Sequence, residues 1–321
     1  MTTPRRLRIY IEMPLTPRER AAVEALVRDD EAWFAEPGKP PTAADVAAFA
    51  QAEVAFGAVQ RSLLPQGKAL RWLQFPSVGV DYYRDFDWST LAGRVTCTNL
   101  RGVFNEAVAQ TVLGGILALY RGIDTLARAQ EKRDWCKMEV RPRARVLRGE
   151  RVLMLGGGEL ASRVRAVLAP FGCTFQTFAR TGGDVRTPAE LDAALAEADI
   201  VCGALPDTPL TRNLLDARRL KLLKPTAVLV NVGRGTLIDE SALADVLRAG
   251  GFAGAVIDVT HKEPLPPESP LWTSPNILLT QHTSAGSSHE ILDTIACFGE
   301  NLARYRAGEP LKNVVEWGRG Y

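Results

Sequence analysis

The second half of the chain alternates short apolar runs with longer amphipathic stretches. Val152–Leu155, Thr174–Phe178, Ile200–Ala204, Ala227–Val232, Ala255–Val259 and Ile277–Thr280 read as strands. Helices are predicted between them: Glu159–Leu168, one opened by the capping box Thr187-Pro188-Ala189-Glu190, Ala217–Leu223 and Glu240–Ala249. This alternation predicts an α/β fold with a doubly wound parallel sheet. In such sheets ligands sit beyond the carboxyl ends of the strands, so chemistry is expected in the polar residues that follow each strand.

The first half is sparser. Arg8–Glu12 reads as a strand, and the capping box Thr16-Pro17-Arg18-Glu19 opens a helix to about Arg28. A second helix is expected after Thr42, and strands at Val54–Gly57, Arg71–Phe75 and Val95–Thr98. From Asn105 to about Trp135 the spacing predicts one long helix. Val108, Val112, Ile116, Leu119 and Ile123 mark one face, and Leu113, Leu117 and Tyr120 widen it until two sides are buried. Gly114-Gly115 in its middle costs about 1 kcal/mol per residue against Ala. Something, such as another backbone, is therefore expected to come close there, through crowding within the chain or at a subunit interface.

At 321 residues the chain has room for two domains, and 46% hydrophobic with 24% charged residues suits a globular enzyme. A net charge of +2 makes no electrostatic case for nucleic acid or an acidic membrane. Cys97, Cys136, Cys173, Cys202 and Cys297 are scattered and form no C-x-x-C, which suits a reducing compartment and no structural metal. Met1–Tyr10 has arginines but no apolar run behind them, so no secretory signal is predicted, and the apolar runs are too short to span a bilayer. The expected location is cytoplasmic. Arg141, Arg143, Arg145, Arg148 and Arg151 form a basic run that reads as a solvated linker, with attraction of an anionic cofactor as the alternative.

Arg151–Leu155 runs into Gly156-Gly157-Gly158-Glu159-Leu160-Ala161 at the start of a helix, a G-x-G-x-x-A spacing. The first Gly makes the turn, the second lets a diphosphate approach the backbone, and the third position brings helix close to strand. The helix N-terminus then holds the phosphates. At later strand ends stand Gly233-Arg234-Gly235, then Asp258 with His261 and Glu263, then Gln281-His282-Thr283-Ser284. Carbonyl reduction by hydride needs these types. An Arg fork orients a substrate carboxylate, a His delivers a proton to the carbonyl oxygen, and an acid holds the His and favours its protonated form. Taken singly, Arg234 equally suits a structural ion pair, His282 a satisfied core histidine, and Glu263 a plain loop acid; His261 and His289 carry no chemistry in this reading. Pro76–Asp81 is either a strand-to-helix turn or a carboxylate-binding loop.

In order along the chain, Gly156–Ala161, Leu205–Thr211, Asn231–Gly235, Gly254–Val259, Glu263–Pro266, Leu271-Trp272 with Pro275-Asn276, and Thr280–His282 resemble the D-isomer-specific 2-hydroxyacid dehydrogenase family. Ser77–Asp81, Asn105 with Val108-Ala109, and Leu311–Val315 are similar to it too, so the resemblance covers nearly the whole chain. It implies two Rossmann-like domains. A substrate domain of residues 1–98 and 287–321 would carry an inserted dinucleotide-binding domain, 99–286, through which homodimers form. It implies Arg234, Glu263 and His282 as the catalytic set, with Arg234 and His282 also binding substrate. Val78 and Gly79 would hold the substrate carboxylate by their N–H groups. Cofactor contacts would come from Gly156, Gly158, Glu159, Leu160, Ala161, Pro206, Thr211, Val232, Gly233 and Ser284, with Asp258 near the nicotinamide amide. The implied activity is reduction of a 2-oxo acid such as glyoxylate or hydroxypyruvate, in a pocket shaped around residues such as Trp72 and Phe104. A cofactor-sensing corepressor is the alternative, and formate oxidation a weaker one, since formate enzymes of the family have Gln in the place of Glu263. The sequence departs from the family's pattern at Gln281, where Pro is usual, and at Gln110, where Glu is usual.

The residue expected to select the cofactor is the one at the end of the second strand of the fingerprint, where an acid binds the ribose hydroxyls of NAD. Ala179 stands there, followed by Arg180 and Thr181, which suit a 2′-phosphate, and by Gly182-Gly183, which leave room for it. NADP is therefore expected over NAD, unless Asp184 reaches the ribose.

Overall fold

The computed structural model describes residues 6–83, 85–91 and 93–317. Met1–Arg5, on which part of the secretory-signal expectation rests, lie outside the described residues. The chain forms two compact units, Met1–Val103 with Ser287–Tyr321, and Phe104–Gly286. On the N-terminal side the division falls after Val103 rather than after Thr98, because Asn99 and Leu100 are still bonded to Asn313 and Ser77.

The first unit holds β1 (Arg8–Glu12), α1 (Pro17–Leu26), β2 (Glu31–Phe34), α2 (Ala43–Gln51), β3 (Val54–Gly57), β4 (Trp72–Gln74) and β5 (Thr96–Thr98). All five strands are parallel, in the order β2-β1-β3-β4-β5. Alternate residues of β1 enter opposite cores, Ile9 and Ile11 packing with Val23 and Phe298, and Tyr10 with Phe49 and Leu63. The capping box at Thr16 forms as the sequence predicts. β2 was not anticipated, because its Glu-Ala-Trp-Phe is mostly exposed and lacks the apolar run of a buried strand.

The second unit opens with α3 (Asn105–Arg121), α4 (Ile123–Glu131) and α5 (Lys137–Val140). It continues with β6 (Arg151–Leu155), α6 (Glu159–Leu168), β7 (Thr174–Phe178), α7 (Pro188–Glu197), β8 (Ile200–Gly203), α8 (Ala217–Leu220), β9 (Val228–Asn231), α9 (Glu240–Arg248), β10 (Gly254–Ile257) and β11 (Ile277–Leu279). Its six parallel strands run β11-β10-β9-β8-β6-β7. Here too β6 feeds two cores, Leu153 and Leu155 on one face, Val152 and Met154 on the other. The chain then returns to the first unit as α10 (Glu290–Ala307), which packs on α1. Phe298 of α10 stacks on Phe56 at 4.3 Å and on Trp72 at 5.3 Å, and Asn301 Nδ2 donates to Gln74 Oε1 at 3.2 Å. Burying an aromatic ring of roughly 200 Å² contributes about 5 kcal/mol, so this stacked trio ties the chain's last helix to the first unit.

Three expectations are corrected. The single helix from Asn105 to Trp135 is broken at Gly122, whose φ of 65° lets its N–H cap α3 on Ala118 and Leu119. A Cβ there would also lie 2.5 Å from Val140 Cγ1. The basic run is not a bare linker: Arg145 stacks on Tyr120 at 4.2 Å and pairs with Glu150 at 3.1 Å, and Arg151 pairs with Glu197 at 2.5 Å. The close approach at the paired glycines is a side chain of the same chain, not a backbone. A Cβ on Gly115 would lie 2.7 Å from Cγ1 of Val256, a buried β10 residue, while one on Gly114 would meet nothing within 4 Å.

This contrast gives a prediction. Gly114→Ala should stabilise the protein by about 0.5–1 kcal/mol through helix propensity. Gly115→Ala should destabilise it by about 1–3 kcal/mol, because the β-branched Val256 has no rotamer to retreat into. Denaturant melts of both variants check this, and equal effects at the two positions would refute it.

Candidate functional site

The glycine-rich turn joins β6 to α6 where the strand order of the second sheet reverses, β6 lying between β7 and β8. Gly156 has φ 122° and a Cβ on it would sit 2.8 Å from the Ala204 carbonyl, so only glycine fits. Gly158 is the N-cap of α6, makes no side-chain cap, and has nothing within 4 Å of where a Cβ would stand. Ala161 is buried on the strand side, Leu160 half-buried and Glu159 exposed. A helix start with backbone donors and open space fits a diphosphate.

The neighbouring turns are locked to this one. Val232 N–H donates to Gly203 O at 3.0 Å, and a Cβ on Gly233 would lie 2.7 Å from Leu205 O. In the loop after β8, Thr211 Oγ1 donates to Pro206 O at 2.6 Å and accepts from Thr208 N–H at 2.9 Å, so Thr211 closes the loop on itself. After β7, Arg180 and Thr181 are exposed. Asp184 is exposed, and its Oδ2 accepts from Thr177 N–H at 3.0 Å. Gly182 takes φ 71° in open space, but Gly183 is a tight-turn residue, with a Cβ position 2.7 Å from Ala179 N, and leaves no room.

The catalytic candidates stand on three adjacent strand ends. After β9, buried Asn231 accepts from Gly233 N–H at 3.2 Å and donates to Arg234 O at 2.9 Å. This turns the chain so that half-buried Arg234 follows the strand in extended conformation, with one guanidinium N–H on Gly233 O at 2.8 Å. His282 Nδ1 lies 2.6 Å from Glu263 Oε2, the two side chains being 55% and 37% exposed. Glu263 Oε1 in turn accepts from Thr260 N–H at 3.0 Å. The sequence reading assigned Asn231 and Thr260 no role. Asn231 stood inside a quoted motif, but only the fold shows what its amide holds.

Asp258 does more than expected. It is 2% exposed, and its Oδ1 accepts from Thr280 Oγ1 at 2.6 Å and from the N–H groups of Thr283 and Ser284 at 3.1 Å each. Its Oδ2 accepts from Ser284 Oγ, and its backbone carbonyl accepts from His282 N–H at 2.6 Å. The loop that carries His282 is therefore tied to the end of β10. Within it Gln281 and His282 take φ values of 52° and 57°. Proline is held near −65° and cannot adopt the backbone that Gln281 takes here.

In the first unit, Val78 and Gly79 follow β4 in a loop pinned from within. Ser77 Oγ donates to Gly79 O at 2.6 Å, and Asn99 Nδ2 to Val78 O at 2.9 Å. Trp72 is no pocket residue: it is fully buried, its Nε1 donating to Thr98 Oγ1 at 2.8 Å. Phe104 is half-buried against the α3 core. His261 is exposed, and His289 begins α10. Among the described residues no group of His, Cys, Asp and Glu is arranged to hold a metal.

Residues 113–284 match the family described as D-isomer specific 2-hydroxyacid dehydrogenase, NAD binding domain. A glyoxylate reductase of Aeropyrum pernix is 33% identical over 267 residues, 79% of this chain and 78% of that one. A glyoxylate/hydroxypyruvate reductase B of Pectobacterium carotovorum is 32% identical over 275 residues, 81% and 83% of the two chains. Among solved structures, a D-isomer specific 2-hydroxyacid dehydrogenase from Xanthobacter autotrophicus, in complex with NADPH and MES, superposes with a TM-score of 0.83 at 29% identity, covering 99% of this chain and 100% of that one. An NADPH-dependent glyoxylate/hydroxypyruvate reductase from Sinorhizobium meliloti gives 0.79 at 26% identity, covering 97% and 98%.

The loop geometry makes Gln281→Pro a sharp test. Proline at a positive φ must rebuild the loop and move His282, and a misplacement of about 1 Å can cost roughly 10²-fold in rate. The substitution should lower kcat by about that factor; a variant as active as wild type would show that the loop does not need this backbone.

Proposed function

The chain belongs to the D-isomer-specific 2-hydroxyacid dehydrogenases, NAD(P)-dependent oxidoreductases, and from that premise we propose that it reduces a small 2-oxo acid, such as glyoxylate or hydroxypyruvate, to the D-2-hydroxy acid with NADPH preferred. The observation that carries this reading is the 2.6 Å contact of His282 with Glu263 at the sheet edge that also bears Arg234 and the glycine turn. The names of the reductases from Aeropyrum and Pectobacterium support the substrate class. We assign the first unit to substrate binding and the second to the cofactor.

When bound, the reduced nicotinamide supplies the hydride. The first turn of α6, from Gly158 to Ala161, would hold its diphosphate, flanked by the turns at Pro206–Thr211 and Val232-Gly233. The Arg234 fork orients the substrate carboxylate by paired N–H bonds. Glu263 engages Nδ1 of His282, which leaves Nε2 to give its proton to the carbonyl oxygen as that oxygen becomes a hydroxyl. The backbone N–H groups of Val78 and Gly79 are assigned to substrate binding within the first unit.

NADPH preference follows from β7. Ala179 brings no negative charge to repel a 2′-phosphate, and Arg180 and Thr181 are exposed to pair with one. Asp184, the acid that would favour NADH, already accepts a backbone N–H. We further propose a homodimer through the second unit. Its stretch from Ile123 to Val146 exposes Ile123, Leu126, Trp135, Met138 and Val146, with Trp135 88% and Met138 74% exposed. The free cysteines support a cytoplasmic site, and no helix among the described residues is long and apolar enough to cross a membrane.

Four outcomes are expected. His282→Ala should lower the rate of glyoxylate reduction roughly 10²–10⁴-fold, and Arg234→Lys should fail badly because a point charge does not replace a fork. Steady-state kinetics over a panel of 2-oxo acids with both cofactors checks this, and wild-type protein that binds cofactor but turns over none of the panel would refute the reductase reading. Arg180→Ala should reduce the NADPH-over-NADH preference in kcat/KM by about 10- to 100-fold, the worth of a charge-assisted hydrogen bond; an unchanged ratio would remove Arg180 from the phosphate site. Trp135→Asp should convert the dimer to monomer by light scattering after size exclusion, and a wild type already monomeric would end the dimer proposal.

A further inference from the structure

The side chain of Glu240, at the first position of α9, has an unusual partner. Its Oε1 accepts the backbone N–H of His261 at 2.6 Å, across the gap between the β9 and β10 strand ends. His261 is the second residue of the turn Thr260–Glu263. That turn is closed from inside by Thr260 Oγ1 on Lys262 O at 3.0 Å and by Thr260 N–H on Glu263 Oε1 at 3.0 Å. Gly235 also packs directly on it: a Cβ there would fall inside the Thr260 carbonyl. The turn is thus held between the Arg234-Gly235 backbone and the Glu240 carboxylate, and its last residue is the one that meets His282.

We infer that Glu240 is a positioning residue of this site: through the His261 N–H its carboxylate fixes the turn that aims Glu263 at Nδ1 of His282. Glu240 makes no hydrogen bond to Glu263 or His282; its carboxylate lies near enough to repel that of Glu263, and its hydrogen-bonded link to the turn is the His261 N–H. Nor is it needed to start its own helix, because Asp239 is the N-cap of α9 and accepts from Ala242 N–H at 3.0 Å. Burial holds the Glu240 carboxyl above the ordinary range, with the Glu263 and Asp239 carboxylates adding to the rise and the bond from His261 opposing it. What the position requires is an accepting oxygen at the right reach, not a charge. Gln supplies that oxygen; Asp, one methylene shorter, withdraws it.

This inference rests on the reductase reading, so its test carries a readout that needs no substrate. The chain has three histidines, and labelling them with ¹⁵N lets the imidazole shifts report which ring nitrogen of His282 carries hydrogen. His282→Ala identifies its signals. In wild type Nδ1 should be held protonated against Glu263. In Glu240→Ala and Glu240→Asp that fixed pattern should give way to mixed tautomers, with Tm and NADPH affinity close to wild type. kcat for glyoxylate should fall about 10- to 100-fold, as expected when a catalytic pair is misplaced. Glu240→Gln should restore both the spectrum and kcat. An unaltered His282 spectrum in Glu240→Ala, or a loss in Glu240→Gln as deep as in Ala, overturns the inference. A wild type that shows the fixed tautomer but reduces no 2-oxo acid overturns the reductase reading and leaves the positioning claim decided by the spectra alone.

Discussion

The position of His282 depends on a carboxylate one strand away. Asp258 is almost wholly out of water at the end of β10, and a buried carboxylate costs several kcal/mol unless hydrogen bonds replace its hydration. Those bonds come from one loop: the hydroxyls of Thr280 and Ser284 and the N–H groups of Thr283 and Ser284. The loop cannot swing away without stranding the charge. That constraint explains why Gln281 and His282 hold left-handed backbone conformations, which cost about 1–2 kcal/mol each in residues with a Cβ. The strain is local and the compensation is electrostatic. Their sum is a His side chain delivered to the same place as Glu263.

The rest of the second unit's strand edge is assembled by backbones too close for side chains. Gly156 lies against Ala204, Gly233 against Leu205, and Gly235 against Thr260. Each contact joins the turn after one strand to the turn after its neighbour, so the glycine fingerprint, the Arg234 turn and the Glu263 turn form a continuous block. Parallel strands make this possible, because every strand of the sheet ends on the same side. Side-chain amides and carboxylates finish the work, Asn231 shaping the Arg234 turn and Glu240 holding the Glu263 turn. The first unit shows the same economy by itself. Gly57, with φ 121°, closes β3 against the carbonyl of Glu12, and Ser77 and Asn99 pin the Val78-Gly79 loop.

The sequence by itself determined the alternating strands and helices from β6 to β11, because their signals are local: buried parallel strands are largely apolar runs, and the Thr187 cap, like Thr16 in the first unit, is written in four residues. It also determined which residue types stand after each strand, and hence Arg234, Glu263 and His282 as candidates. It failed where the deciding partner is distant along the chain. β2 is a strand only because β1 is beside it, and the helix ends at Gly122 because a left-handed cap and Val140 leave no alternative there. Trp72 is core rather than pocket because Phe298 and Thr98 enclose it. The 2.6 Å meeting of Glu263 with His282, the four bonds on Asp258 and the Glu240 clamp on His261 belong to tertiary structure alone. Hydrophobic periodicity reports which face of an element is buried, and carries no information about which polar group will be waiting at its end.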